Sequence, residues 1–280
     1  MSPHTKTRRL VLAHALVLTM LATGTVPLTS ASAQMGDGYQ RFIVECGFSH
    51  AAPDDPIVVP LQPGATHMHD FLGNRRTDHR PGYLRMRRGA TMCAARADTA
   101  AYWVPALRNR STGELVHATE LRAYYYSTEL MDDDPVVAYP RGYSAISDEA
   151  AWMCRNTERL AEPPDCTGRL TQADGVGLVV VFDQVCWNGV NVGRHADAPW
   201  FRHVTGLQNG ECPAGHRQLP WLSLQVRYGL VDASNYEIVS APGRGPHADY
   251  WNTWQQGPLV DLVTRCLQPG STDCNEVADG

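Results

Sequence analysis

The chain has 280 residues, with 24 lysines and arginines against 29 acidic residues and a formal net charge of −5. No basic patch interleaved with aromatic residues stands out, which argues against nucleic acid as a partner. No apolar stretch reaches the roughly 20 residues that a membrane-spanning helix requires.

The first 33 residues read as a secretory signal. Lys6, Arg8 and Arg9 form a basic start, Leu10 to Leu21 a short apolar run, and Ala31-Ser32-Ala33 a small-residue cleavage site before Gln34. The expectation is a secreted, extracellular protein without membrane contact after cleavage, a single domain over residues 34–280 and a monomer. The basic residues of the signal leave with it, so the mature part balances 21 cations against 29 anions. All eight cysteines lie there: Cys46, Cys93, Cys154, Cys166, Cys186, Cys212, Cys266 and Cys274. An even set in an exported chain predicts disulfides, and no C-x-x-C supports a zinc ribbon or a redox motif. Eight cysteines allow 105 pairings; sequential pairing, 46–93, 154–166, 186–212 and 266–274, is the working expectation.

Tyr39–Cys46 reads as the first strand. A turn through Pro53-Asp54-Asp55-Pro56 leads to Ile57-Val58-Val59 and, after Pro60-Leu61-Gln62-Pro63-Gly64, to His67-Met68-His69-Asp70-Phe71-Leu72-Gly73-Asn74. Further along, Tyr102–Leu107, Leu121–Tyr126, Val176–Phe182 and Trp221–Tyr228 have strand composition. In the last of these Leu222, Leu224 and Val226 alternate with Ser223, Gln225 and Arg227. Asn188-Gly189 is a turn signal. Helix is sparse, with Ser147–Met153 and Leu259–Leu267 as candidates, Pro258 occupying a first turn of the second. Short strands, many turns and few helices predict a mainly β (β-rich α+β) single domain, sandwich-like with few short helices and stapled by disulfides.

The histidine stretch carries the chemistry. Side chains at i and i+2 of an extended strand leave from one face, so His67 and His69 can converge on one point. Such a pair suits a metal ion or acid/base work, although a pair simply hydrogen-bonded in a loop has the same sequence. Asp70 would face the other way, available to orient a neighbour. Pro246-His247-Ala248-Asp249-Tyr250-Trp251-Asn252-Thr253-Trp254 repeats the spacing with His247 and Asp249. These two complete a metal site or act as an oriented acid/base pair. Asp249 as a turn residue and Trp251 as core are the plain alternatives. His203, which follows Trp200-Phe201, is a further candidate ligand.

The ordered series of these segments resembles the secreted DUF1996 family of fungi and some bacteria, over about Gln40 to Cys274. The resemblance rests on Asp55-Pro56-Ile57-Val58 before His67–Asn74, on Cys93 before Tyr102–Leu107, and on Cys186-Trp187-Asn188-Gly189. His203-Val204 and His247–Trp254 complete it. Asn188 stands where the family usually has Asp, and Thr253 where it usually has Gly. The resemblance implies export and supplies no reaction.

The chain has no G-x-S-x-G elbow, no H-E-x-x-H helix and no phosphate-cradling glycine loop. Seven Trp and eleven Tyr accompany the His/Asp groups. The expected function is an extracellular enzyme, a hydrolase or lyase, acting on polysaccharide or cell-wall glycan. His67, His69, His247 and His203 are the candidate ligands of one divalent metal, zinc or copper. His247, Asp249 and Asp70 are the candidate catalytic groups, and Tyr124, Tyr126, Asn252 and Trp254 the candidate substrate contacts. The alternative is a non-catalytic secreted protein that binds metal or glycan.

Overall fold

The computed structural model describes residues 39–128, 135–154, 158–170, 174–193, 203–240, 245–271 and 274–278. The expected signal segment and the Trp200-Phe201 pair lie outside the described residues. In chain order the elements begin with β1 (Tyr39–Ala52), β2 (His69–Gly73), α1 (Tyr83–Arg87), β3 (Ala101–Pro105), β4 (Leu107–Asn109), β5 (Leu115–Val116) and β6 (Ala118–Thr128). Next come β7 (Ser144–Ser147), β8 (Ala150–Met153), β9 (Val176–Phe182), β10 (Cys186–Trp187), β11 (Val204–Thr205) and β12 (Arg217–Gln218). The series ends with β13 (Trp221–Tyr228), β14 (Tyr236–Ile238), β15 (Ala248–Trp251), α2 (Gln256–Cys266) and β16 (Asn275–Glu276).

The protein is mostly β, built on a single sheet nearly closed into a barrel. The strand order is β7-β15-β3-β2-β1-β6-β13-β9-β8, with β16 added beside β1. β10–β12 and β4, β5 and β14 form two small separate sheets. The β-branched run Val176–Phe182 and the alternating run Trp221–Tyr228 form β9 and β13 with the predicted bounds. β1 is longer than predicted because it changes partner along its length. Residues Tyr39–Gly47 pair with β6, and Phe48–Ala52 pair with β2, with a register break between Phe48 and His50.

The run predicted as helix, Ser147–Met153, is instead extended, and this is what brings the sheet close to closure. β7 pairs with β15 at one end of the strand order, while β8 pairs with β9 at the other. Between them the Val181 N–H donates to the Glu149 carbonyl at 2.9 Å, and the Ser147 hydroxyl donates to the Val181 carbonyl at 2.6 Å. The run thus occupies both edges that an open sheet would leave unpaired. Pairing of the backbone outweighs the modest local helix preference of its alanines and Met153. The same closure replaces the two layers of a sandwich with one curved sheet.

The interior follows from period-two alternation. Leu222, Leu224 and Val226 point inward with Phe42, Val44, Leu121, Ala123, Tyr125, Leu178 and Val180. The opposite residues Ser223 and Gln225 are buried as well. α2 covers the core with Leu259, Leu262, Val263 and Cys266, an i, i+3, i+4, i+7 stripe. It begins three residues earlier than predicted, with Pro258 in its first turn. The four disulfides are Cys46–Cys93, Cys154–Cys166, Cys186–Cys212 and Cys266–Cys274, so the sequential pairing is observed and no cysteine is free. Asn188 and Gly189 form the expected turn: the Asn188 carbonyl Oδ1 accepts from the Val190 and Asn191 N–H groups, and Gly189 sits at φ 77°.

Candidate metal centre

β2, β3 and β15 lie side by side, and their register decides which residues share a face. Asp249 is opposite Trp103, and Trp103 is opposite Phe71 on β2. Directly paired residues of an antiparallel ladder point to the same side, and residues two apart stay there. Asp249, Trp103, Phe71 and His69 therefore share the outer face of the barrel. The ladder continues past the strand ends, since the Ala106 N–H donates to the Met68 carbonyl at 2.9 Å. His67, two residues before His69, keeps the same side, and so does His247, two before Asp249. The inner face of the same strands carries Leu72, Tyr102 and Tyr250 in the core.

The three imidazoles meet. Ring centroids are 4.2 Å apart for His67 and His69, 5.2 Å for His67 and His247, and 5.8 Å for His69 and His247. One nitrogen from each lies within 4.8 Å of the others, and ligand atoms of Asp55, His69 and Asp249 satisfy the same limit. Some 180 residues of chain separate the first pair from His247. His69 and Asp249 are fully buried, His247 nearly so, and His67 is half-buried at the rim.

Backbone contacts set the tautomers. The His69 Nδ1–H donates to the Asp54 carbonyl at 3.0 Å, and the His247 Nδ1–H to the Gly245 carbonyl at 3.1 Å. A carbonyl can only accept, so each Nδ1 carries a proton, which leaves Nε2 as the lone-pair nitrogen of the neutral ring. The Nε2 of His69 is buried and has no hydrogen-bond partner among the described residues. The Nε2 of His247 lies 4.0 Å from Asp249 Oδ2. Burial, then the neighbouring His67 and His247, hold the His69 imidazole well below its usual pKa, outweighing the Asp54 carbonyl. His69 is thus the neutral, lone-pair form that binds metals. Zinc or copper accepts such a nitrogen-rich set with carboxylate alongside.

Asp55, absent from the sequence-based candidates, stands in this group. Its Oδ1 accepts from the Ile57 and Val58 N–H groups at 2.8 and 2.9 Å, a turn that tucks the carboxylate beneath the segment leading to His67. An Asp before Pro reads from sequence as an ordinary turn residue, which is why its local pattern did not single it out.

The other candidates fall elsewhere. Asp70 lies on the opposite face from His69, where its carboxylate accepts from His117 Nδ1 at 2.7 Å and the Ala118 N–H at 2.8 Å. His203 donates from Nε2 to the Ser144 carbonyl at 2.9 Å, with its ring against Tyr143, and is not one of the three converging imidazoles. Tyr124 and Tyr126 are on β6, two strands from β2 in the sheet order, and Tyr126 stacks on Trp221. Asn252 is buried and donates to the Tyr139 and Pro140 carbonyls at 2.8 and 2.9 Å. Trp254 is fully buried against Phe42 and donates from Nε1 to the Tyr125 hydroxyl at 3.1 Å, so its ring is closed to a sugar. Trp251 is half-buried and packs beside Phe71 and Trp103. The Thr253 hydroxyl donates to the Thr99 carbonyl, which gives the side chain at this position a structural partner.

A family profile described as "Domain of unknown function (DUF1996)" matches residues 55–254, well over half of the chain. The chain belongs to the DUF1996 family. The matched stretch begins at Asp55 and contains all three imidazoles and Asp249, so the whole cluster lies within the family domain. No curated protein and no solved structure matches the chain. Four disulfides suit an exported member of the family, and no helix among the described residues is long and apolar enough to cross a membrane.

Proposed function

We propose that the protein is a secreted enzyme of extracellular glycan that works with one divalent metal, zinc or copper, held by His67, His69 and His247. The observation that carries this reading is the convergence of three ring nitrogens, all within 4.8 Å of one another, at a point where the buried Nε2 of His69 has no hydrogen-bond partner among the described residues. A bound divalent ion supplies Lewis acidity, lowering the pKa of water or taking up charge on an acyl or uronate oxygen. The chain's own residues do the rest. Asp54 and Gly245 fix two imidazoles through Nδ1 and so aim Nε2 at the centre. Asp249, 4.0 Å from His247 Nε2, is the base that takes a proton from water or substrate, and Asp55 is the second carboxylate at hand. His67, at the rim, marks the side from which a glycan approaches.

Burial of His69, His247, Asp55 and Asp249 favours a second reading, a secreted protein that holds the ion without turnover. Elemental analysis of the purified protein, followed by a glycan depolymerisation screen with and without chelator, separates the two. Metal content with chelator-sensitive depolymerisation supports the enzyme. Metal without depolymerisation leaves the binding protein. Depolymerisation indifferent to chelator removes the metal from the mechanism.

A further inference from the structure

Beyond residue 33 the chain has no lysine at all; its 21 cations are all arginines. Six of them, Arg75, Arg76, Arg80, Arg85, Arg87 and Arg88, fall within 14 residues that contain one carboxylate, Asp78. The other 15 arginines share the mature chain with 28 carboxylates. A strong local excess of positive charge therefore stands on an acidic protein.

The fold gathers these arginines on one surface. Asn74 is fully buried, and its amide donates to the Met86 and Thr99 carbonyls at 2.8 and 2.5 Å while its oxygen accepts from the Arg76 N–H at 2.8 Å. The Arg75 N–H donates to the Ala90 carbonyl at 2.9 Å, and Arg85 Nη1 donates to the Arg76 carbonyl at 2.7 Å. These bonds clamp the 74–76 segment to the end of α1. Asp78 is occupied by Arg80 and Arg85. Arg75, Arg76, Arg87 and Arg88 are exposed, and none forms an ion pair among the described residues.

The same surface borders the histidine cluster. The His79 N–H and Nδ1 contact the Asp54 carboxylate at 3.1 and 3.2 Å, and the carbonyl of that same Asp54 holds His69. Met86 of α1 packs in one apolar cluster with Ile57, Phe71 and Trp103, the last two on the outer face beside His69 and Asp249. We infer that the Arg75–Arg88 surface binds an anionic polysaccharide and delivers it to the histidine site. This deepens the glycan reading above and rests on it. Guanidinium groups match carboxylate and sulfate as planar forks, and a bare arginine field suits a polymer of acid groups. Tyr83 is the only Phe, Tyr or Trp between residues 75 and 88, so the surface lacks the stacking platform that single-stranded nucleic acid uses.

The test is affinity electrophoresis of the full mature chain through polygalacturonate, dextran sulfate or neutral pullulan, with duplex DNA and anionic phospholipid vesicles as competitors. Retardation by either acidic glycan, weakening with salt and absent with pullulan, is expected. The variant carrying Arg75→Gln, Arg76→Gln, Arg87→Gln and Arg88→Gln should bind at least ten-fold more weakly. The double variant Arg87→Gln with Arg88→Gln should fall between, and serves if the quadruple variant does not fold. Undiminished binding by folded variants, no retardation, or tighter binding of DNA or vesicles than of both acidic glycans overturns the inference. His67→Ala should lose metal yet keep glycan retardation. A protein that takes up metal but ignores acidic glycans sinks this inference alone, and one that binds them without metal sinks only the metal centre.

Discussion

His69 shows how much a single side chain can be committed by its surroundings. Its Nδ1 is used by the backbone, its ring is kept neutral by burial, and its remaining lone pair faces two other imidazoles. Stability of the metal-free protein should depend little on His67, which is half-buried, and modestly on His247. Added zinc or copper at about 100-fold over its dissociation constant should stabilise wild type by about 2.7 kcal/mol, a shift of roughly 5–10 °C for a domain this size. His67→Ala and His247→Ala should lose that shift, which differential scanning fluorimetry reads directly. A wild type unmoved by every divalent ion would return these histidines to plain packing roles. Asp70 predicts the reverse pattern. Its carboxylate ties His117 and the start of β6, so Asp70→Asn should cost about 1–3 kcal/mol and leave the metal-induced shift intact.

At the scale of elements, the barrel depends on a few places where backbones approach closely. Gly175 sits at φ +58° just before β9, and a Cβ there would lie 1.9 Å from the Tyr228 carbonyl oxygen of β13. Both the left-handed backbone and the contact exclude a larger residue. Gly175→Ala should therefore lower stability by more than about 2 kcal/mol, visible as an earlier urea midpoint. Gly168, also at positive φ but with open space around it, is the control and should respond far less. The β7–β8 run makes the complementary point. Its sequence tolerates helix, yet it is held extended by partners on both sides, β15 and β9.

For the whole molecule, the core holds an acid that makes stability depend on pH. Asp98 is fully buried, and burial pushes its pKa up to about 7, despite bonds from the Ala100 N–H and the Tyr102 hydroxyl. The unfolded chain releases that proton near 3.8, so between the two values the folded state binds more protons than the unfolded. Stability from this group is full below the lower value and is lost as pH rises towards 7. His69 acts with the opposite sign, since its depressed pKa makes acid below 6.5 unfavourable to the fold. The wild-type profile sums the two, and the difference between wild type and Asp98→Asn isolates the first. Chemical denaturation from pH 4 to 8 should show that difference growing with pH and flattening above about 7; a constant difference contradicts it. The disulfides give a second test. Thiol titration under denaturing, non-reducing conditions should find no free cysteine, and reduction should lower the melting temperature sharply, because each bridge contributes about 2–4 kcal/mol.

Local chemistry was legible in the sequence wherever a residue's neighbours along the chain decide its state. β-Branched and alternating runs formed β9 and β13 because side-chain period and backbone pairing agree there. The i, i+2 spacing placed His67 and His69 on one face and Asp70 on the other, a consequence of the pleat alone. The Leu259–Cys266 stripe gave α2 for the same kind of reason. Tertiary structure decided what depends on partners distant in sequence. The strand register of β2, β3 and β15 brought His247 and Asp249 beside His67 and His69, and the turn at Asp55 added a carboxylate that looked like punctuation. It turned Trp254 and Asn252 inward, sent His203 to the Ser144 carbonyl, and extended the 147–153 run to close the sheet. Apart from the local turn at Asp55, the deciding interaction is a hydrogen bond or a packing contact between segments far apart in the chain, and local propensities of a fraction of a kcal/mol per residue yield to it.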